Sequence, residues 1–365
     1  MRFVHMIKLD ELLALSLAEK AVIIDLQLVD LNRDEVTFIA WTAERWANLG
    51  QVVKRCPNLS ALNLSSCKLF RLTEIQWEGL SQVLSHCQNF NVLNISCTDL
   101  WNLTALQQTF LEKMLSQLLN LRGLSIAGNR LDRFTVVQWT ALDQALYQCP
   151  NISELNLSNN GLDRFTAVQW TALDQVLYRC SNLSALNLSN NRLDRFNVVQ
   201  WIALGQLLRR HPKLCKLTLT NNDLHHIPEN QLQALVTPYA QFLQLTKVFL
   251  SAKEVERMPV AQLDTWALIV PNAIFIALNA TRNSVIIEKL SYLQSKSDCA
   301  RVVASACLLY RATIEPIANP GLAQSSVGNT VSRVLLLPEA VTHYIASYLI
   351  NGPSISSGIR ALCHV

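Results

Sequence analysis

The chain has 365 residues, half of them apolar, so it is long enough to bury a large core. Its formal net charge of +4 and its pI of about 8.5 are too low to indicate by themselves a nucleic-acid-binding protein. No run of five like charges occurs, which argues against a polybasic tail or a membrane-binding patch.

The first residues of the chain do not resemble a secretory signal. Such a signal needs an uninterrupted apolar segment, whereas Asp10, Glu11 and Glu19 lie among the apolar residues here. Further along, the apolar run at residues 267–278 is too short for a membrane span and is interrupted by Pro271. We therefore predict a protein that is not exported by the general secretory route. Unless a different secretion system exports it, we expect it to be cytoplasmic.

Residues 1–55 are predicted to form an N-terminal cap that contains part of a repeat. Trp46 lies 31 residues before Trp77, so the helical half of a repeat unit is already present. The segment VIIDLQLVDLN at 22–32 predicts a strand that is only roughly in register with the later units. A solenoid needs such a cap because a terminal unit would otherwise expose its core.

Residues 56–272 consist of seven units with a period of 31 residues, and the two units at 149–179 and 180–210 share 21 residues. The units follow the pattern L-x-x-L-x-L-x-x-N/C-x-L, which has decayed in the seventh, where Val248 and Lys253 replace the second Leu and the Asn. The L-x-L core of the pattern alternates as a short strand does when one face is buried. An asparagine follows each central strand and predicts a hydrogen-bonded ladder between units, formed by Asn129, Asn160, Asn191 and Asn222, with Cys67 and Thr98 at the first two rungs.

The second half of each unit has helical periodicity. Trp139, Leu142 and Leu146 lie at i, i+3 and i+7, which places them on one face of a helix. The corresponding tryptophans at 77, 170 and 201 are predicted to pack in the core. A strand, a turn and a helix within each short repeat predict an α/β solenoid, a horseshoe with parallel strands on the concave face and helices on the convex face.

These units resemble the long leucine-rich repeats of the ribonuclease-inhibitor type. The phrase LNLSNNGLDRFTAVQWTALDQVLYRC is most similar to leucine-rich-repeat effectors that Legionella bacteria inject into host cells. The resemblance implies a protein-binding scaffold, delivered by type IV secretion into the host cytosol. The C-terminal sequence NGPSISSGIRALCHV has the small residues of such a secretion signal but lacks a glutamate-rich block.

Residues 273–365 are predicted to form a helical C-terminal region. Helices are expected at 284–293 and 297–312, a loop at 319–329, and a further element at 331–350 that ends as a helix. This region is either the C-terminal cap of the solenoid or a separate module with its own partner.

Partner contacts are predicted at the charged residues, which concentrate at the margins of the mild polar surface of the strands, together with one aromatic side chain. The predicted residues are Arg122, Arg130, Glu154, Arg192, Lys216, Lys247 and Phe249. The Asn and Ser residues between them have an alternative interpretation, as short polar side chains that only keep the sheet soluble. We expect the partner to be a host protein, not a nucleic acid, and the protein to be a monomer.

The Leu-Asp-Arg-Phe run at 131–134, 162–165 and 193–196 has two interpretations. Its arginines, Arg133, Arg164 and Arg195, form either an anion-binding ladder or ion pairs with the aspartates of the same or an adjacent unit. Equal numbers of both charges favour the ion pairs.

Cysteine usage predicts neither a metal site nor a disulfide framework. Cys56, Cys87, Cys149 and Cys180 recur at multiples of 31 residues, which indicates a core position, and the chain has no CxxC pair. We predict no cofactor.

The sequence also predicts no catalytic site. His225 and His226 replace the Asp-Arg pair of the sixth unit without a neighbouring nucleophile, and Cys299 lacks the acidic sequence that follows the nucleophile in bacterial leucine-rich-repeat ubiquitin ligases. An alternative function rests on LPEAVTHYIASYL at 337–349, which resembles the first helix of an F-box. That resemblance implies a ubiquitin-ligase adaptor that selects its substrate with the solenoid.

Overall fold

The computed structural model describes residues 4–7, 20, 25–28, 42–56, 58–86, 89–232, 245–269, 274–278, 285–286 and 288–292. The predicted elements at 297–312, 319–329 and 331–350, including the F-box-like segment at 337–349, lie outside these residues. Residues 285–286 and 288–292 are helical, as predicted for 284–293.

The described strands form one parallel sheet in which neighbours in the chain are neighbours in space. They are β1 (Val4–Ile7), β2 (Asp25–Leu28), β3 (Ala61–Asn63), β4 (Val92–Asn94), β5 (Gly123–Ser125), β6 (Glu154–Asn156), β7 (Ala185–Asn187), β8 (Lys216–Thr218), β9 (Lys247–Ser251) and β10 (Ile274–Leu278). Strands β3 to β9 are those of the seven predicted units.

The sheet is longer than the seven repeats. At the N-terminal side, Leu26 of β2 pairs in register with Leu62 of β3, so the strand of the predicted cap joins the solenoid. At the other side, all five residues of β10 pair with β9. The last predicted repeat ends at residue 272, but the sheet continues past it because the apolar run Ile274–Leu278 pairs along the edge of β9.

The α-helices of the described residues follow the strands on one side of the sheet. They are α1 (Ala43–Lys54), α2 (Glu74–Ser85), α3 (Ala105–Ser116), α4 (Val136–Tyr147), α5 (Ala167–Tyr178), α6 (Val198–Arg209), α7 (Glu229–Leu232), α8 (Ala252–Arg257) and α9 (Val260–Ile269). A short 3-10 helix precedes each of α2 to α7, at Leu69–Arg71, Leu100–Asn102, Leu131–Arg133, Leu162–Arg164, Leu193–Arg195 and Leu224–His226. Among these helices, none is both long and apolar enough to cross a membrane.

The core is continuous from unit to unit. The predicted tryptophan column is buried, with Trp77, Trp139, Trp170 and Trp201 each no more than 5% exposed. Phenylalanines fill the spaces between successive tryptophans. Trp139, for example, meets Phe165 of the next unit edge to face at 5.8 Å between ring centroids. The tryptophans are therefore part of the architecture, as predicted.

The predicted asparagine ladder is present and fully buried. The backbone N–H of Asn129 donates to Oδ1 of Asn160 at 2.9 Å, that of Asn160 to Asn191 at 2.8 Å, and that of Asn191 to Asn222 at 2.7 Å. Thr98 joins the ladder by donating its N–H to Asn129. Each rung provides an acceptor for a buried backbone N–H group, which would be destabilising without a hydrogen bond. Because these bonds join successive units, the ladder fixes the spacing of the units.

Candidate functional site

The concave surface is built from side chains that alternate outward along each strand. The first residues of the strands form one row across the sheet, because every pair of strands from β3 to β9 is in register. The row contains Ala61, Val92, Gly123, Glu154, Ala185, Lys216 and Lys247. The first half of this row is uncharged, so the charges of the row lie towards one end of the sheet.

Two lysines lie side by side at the charged end of the row. Lys216 and Lys247 are in register on adjacent strands and both are exposed. The ammonium Nζ of Lys216 lies 5.2 Å from the ring centroid of Phe249, which is half-buried on the same face. Two adjacent cations beside an aromatic ring favour a carboxylate with apolar surface next to it.

Glu154 gives the row its opposite charge. It is exposed and begins β6, and the carbonyl of Arg122 accepts its backbone N–H at 2.9 Å. Arg122 is exposed immediately before β5. Five of the seven predicted contact residues, namely Arg122, Glu154, Lys216, Lys247 and Phe249, therefore lie on or directly beside the strands.

The two remaining predicted residues lie elsewhere, in the turns that follow the strands. Arg130 and Arg192 have left-handed backbones, with φ of 53° and 54°, and each precedes a 3-10 helix. The guanidinium of Arg130 lies 5.7 Å from the Trp101 ring centroid, so it already has an intramolecular contact. These arginines border the concave surface at one margin instead of lining it.

Two arginines of the Leu-Asp-Arg-Phe run, Arg133 and Arg164, make close intramolecular contacts. Arg164 pairs with Asp132 of the preceding unit at 3.0 Å, and Arg133 lies 4.9 Å from the Trp101 ring centroid. The Arg164 pair supports the ion-pair interpretation of this run. A second type of inter-unit pair was missed: Arg179, the C-cap of α5, binds Asp143 of α4 with two hydrogen bonds of 2.9 and 3.0 Å.

An exposed apolar row on the helical side was also missed. It consists of the second residue of five successive helices, Ile75, Leu106, Val137, Val168 and Val199, whose exposed fractions range from 49% to 66%. We call these residues the convex apolar row. Their spacing of 31 residues was visible in the sequence, but an apolar residue at that spacing is normally taken as core.

A cluster of potential metal ligands lies in the sixth unit. The side chains of Asp223, His225 and His226 place one ligand atom each within 4.8 Å of one another. Burial lowers the pKa of His225, and the neighbouring His226 lowers it further. The sequence pattern pointed to these histidines only as candidate catalytic residues and not to their combination with Asp223.

A small cavity interrupts the core where the tryptophan column has a gap. Gln108 stands at the position of Trp77 and Trp139 in the unit between them, and it lines a cavity of about 20 Å³. A cavity of this size holds about one water molecule, so it offers no room for an organic ligand.

Comparison with known structures identifies the fold. The chain is similar to the crystal structure of the leucine-rich repeat-containing protein LegL7 from Legionella pneumophila, with a TM-score of 0.55 and 20% sequence identity. The similarity covers 80% of this chain and 99% of that one. No protein-family model and no curated protein sequence matches the chain. The predicted leucine-rich-repeat solenoid is thus confirmed.

Proposed function

We propose that this protein is a non-enzymatic leucine-rich-repeat scaffold that binds a host protein through the concave face of its sheet. The observation that carries the proposal is the register of the outward row, which brings Glu154, Lys216 and Lys247 onto one open surface with Phe249. The solenoid holds these side chains on a rigid sheet, so a partner can be recognised without reorganisation of the backbone.

The size of the sheet suits a protein partner. Ten parallel strands at about 4.8 Å spacing give an arc of roughly 43 Å. With the turns that border it, a surface of this length is comparable with one side of a standard interface, about 800 Å².

The charges define the chemistry of the partner. Glu154 and Lys216 are two strands apart, a separation of about 10 Å along the row. The partner would therefore carry a basic group opposite Glu154 and acidic groups opposite the two lysines. An apolar side chain next to those acidic groups would cover Phe249, the aromatic anchor.

The role as a bacterial effector is part of the same proposal. It is supported by the resemblance of the repeats to Legionella effectors and by the likeness in fold to LegL7. We propose delivery by type IV secretion into the host cytosol, where the solenoid engages its target as a monomer.

Affinity capture from host-cell lysate with three forms of the protein tests the proposal. The forms are the wild type, a concave variant with Glu154→Arg and Lys216→Glu, and a convex variant with Val137→Ser and Val168→Ser. Both variants change only exposed side chains, so circular dichroism and thermal melting should match the wild type.

The expected result is a host protein that the wild type and the convex variant retain and the concave variant loses. With that protein purified, its affinity for the concave variant should fall at least about tenfold, and the affinity of the wild type should weaken with added salt. Identical sets of captured proteins for all three forms, or a loss confined to the convex variant, would remove the concave face as the binding site.

A further inference from the structure

The cluster of Asp223, His225 and His226 departs from the repeat at a position where the other units carry different chemistry. Two earlier units have Arg-Leu-Asp-Arg at this position, residues 130–133 and 192–195, whereas the sixth unit has Asp-Leu-His-His at 223–226. Since the backbone of this segment is the same 3-10 turn in each unit, the change concerns side-chain chemistry and not the local fold.

The 3-10 turn brings the three ligands together. Asp223 precedes the 3-10 helix Leu224–His226 in a left-handed conformation, and one ligand atom each of Asp223, His225 and His226 lies within 4.8 Å of the others. The backbone N–H of His226 donates to the carbonyl of Asp223 at 2.9 Å and closes this turn. The rings of His225 and His226 lie against each other in a tilted arrangement, with 3.9 Å between ring centroids and 39° between ring planes.

The backbone under the cluster is held from a neighbouring element. Gln262 of α9 donates its amide Nε2 to the carbonyl of Ile227 at 2.6 Å and to that of His225 at 3.4 Å. The three side chains therefore project from a turn whose position is fixed, which lowers the entropy cost of holding a ligand.

The imidazole of His225 lacks the hydrogen bonds that a structural histidine normally makes. Both of its ring nitrogens are buried, and neither has a hydrogen-bond partner within the part of the chain that the structure describes. Asp194, at the position of His225 in the preceding unit, likewise has a buried Oδ1 without a partner among those residues. A neutral imidazole nitrogen with an available lone pair is a good ligand for a transition-metal ion.

We propose that Asp223, His225 and His226 form a binding site for a divalent transition-metal ion, with Zn²⁺ as the preferred ion. Two imidazole nitrogens and one carboxylate oxygen suit Zn²⁺, which leaves a fourth position for water or for a group from a partner. Ligands at 2.0–2.1 Å from a tetrahedral zinc ion are about 3.3 Å apart. The three atoms, now within 4.8 Å, would have to approach by at most about 1.5 Å. Asp223 and His226 are exposed and can rotate to do so.

The proposal is independent of the partner-binding function. The site lies in a turn after β8 and not in the concave row, so the protein could bind zinc whether or not the row binds a host protein. The absence of CxxC pairs does not argue against this site, because its ligand atoms are nitrogen and oxygen and not sulfur.

Calorimetric titration of the full chain with zinc chloride near neutral pH tests the site. The key variant carries Asp223→Arg, His225→Asp and His226→Arg, which restores the Arg-Leu-Asp-Arg sequence that the same turn already accommodates in two other units. It retains all ten cysteines, so zinc bound by thiols remains the same in both proteins. Asp223→Asn is a second, nearly isosteric variant, and His86→Gln removes a histidine outside the site as the control.

The wild type and His86→Gln should each bind one zinc ion that the triple variant lacks, and Asp223→Asn should bind it at least about tenfold more weakly. Zinc should also raise the melting temperature of the wild type by a few degrees more than that of the triple variant. Equal zinc stoichiometry and affinity in the wild type and the triple variant would overturn the proposal. If the triple variant failed to fold, unchanged affinity in Asp223→Asn would overturn it equally.

Discussion

The first position of each 31-residue unit shows how strongly a repeat constrains a single side chain. Leu118, Cys149, Cys180 and His211 occupy it in successive units, and each is no more than 3% exposed. The thiols and the leucine suit this apolar site. His211 does not, because both of its ring nitrogens are buried without a hydrogen-bond partner within the described part of the chain.

We predict that His211→Leu stabilises the protein, and more so in acid. Burial lowers the pKa of His211, an effect that Asp174 opposes. Below the unfolded pKa of about 6.5 the unfolded chain takes up a proton that the folded chain resists, so the wild type loses stability as the pH falls. The variant should gain about 1 kcal/mol near pH 7.5 and about 1 kcal/mol more near pH 5.5. Urea unfolding at both pH values measures this, and an equal gain at both would contradict the titration argument.

The cysteines at the same position should be chemically inert in the folded protein. Burial raises the pKa of the Cys149 thiol to about 11 and, with a contribution from Cys149, that of Cys180 to about 12. Because the thiolate is the reactive form, iodoacetamide near pH 8 should modify the exposed Cys97 and Cys215 but neither buried thiol. Peptide mapping by mass spectrometry, with a denatured sample as the control, checks this. Rapid labelling of Cys149 in the native protein would show that the unit opens readily.

The third residue of each helix from α3 to α6 is a glutamine that links adjacent repeats. In α5, Thr166 and Gln169 form a capping box: Thr166 accepts the N–H of Gln169, and Gln169 accepts the N–H of Thr166 at 2.9 Å. The amide Nε2 of Gln169 also donates to the carbonyls of Asp132 at 2.9 Å and Phe134 at 3.4 Å, both in the preceding unit. One side chain therefore caps its own helix and binds its neighbour.

This double role predicts that Gln169→Glu is destabilising, although glutamate is a common capping-box residue. The carboxylate would keep the cap but would lose both donated hydrogen bonds and face two carbonyl oxygens. We expect a loss of about 1–3 kcal/mol in the free energy of unfolding. The matched control is Gln144→Glu on the exposed side of α4, which should change stability by less than about 0.5 kcal/mol. Equal stability of the two variants would mean that the inter-unit bonds contribute nothing.

Much of the repeat architecture could be predicted from the sequence. Period-two alternation and the 31-residue spacing were sufficient for the strands, the tryptophan column and the asparagine rungs. The last rung was not predictable in this way, because Lys253 stands where the asparagine would be. Glu254 takes its place: Oε1 accepts the N–H of Asn222 at 2.7 Å. The sequence signal for this contact was the capping box that Ser251 and Glu254 form. Glu254, however, lies one residue after the position that the 31-residue period assigns to the rung.

The candidate site was predictable to a different degree. The outward positions on the strands follow from alternation alone, so Glu154, Lys216 and Lys247 were placed correctly on the row. Arg130 and Arg192 lie in left-handed turns, which the identity of an arginine does not indicate. Gly161, with φ of 70° at the same position in the unit between them, was the available signal. The proposed metal-binding cluster depends on a left-handed residue followed by a 3-10 turn, a local geometry that no periodicity in the sequence reveals.

In this solenoid each unit is stabilised mainly by contacts with the units next to it along the chain. In the described sheet each strand pairs with the strands before and after it in the chain. Contacts between aromatic side chains connect the cores of adjacent units. Trp170 meets Phe165 and Phe196 at 5.5 Å between ring centroids in each case, so it joins two units. In such an array the free energy of unfolding is approximately a sum of unit and neighbour contributions.

The position of a damaged unit should therefore decide how the chain unfolds. Trp170→Ala would cost about 3–5 kcal/mol in the middle of the array, whereas Trp46→Ala would cost a similar amount in α1, near one end. We expect Trp46→Ala to speed amide exchange only in the first units, because the later units keep all their neighbours. Trp170→Ala should speed exchange in α5 and in the strands on both sides of it, and should divide urea unfolding into two transitions. Hydrogen exchange followed by mass spectrometry resolves both patterns. If the two variants raised exchange equally along the whole chain, the solenoid would be a single cooperative unit, and the nearest-neighbour description would fail for a protein of this length.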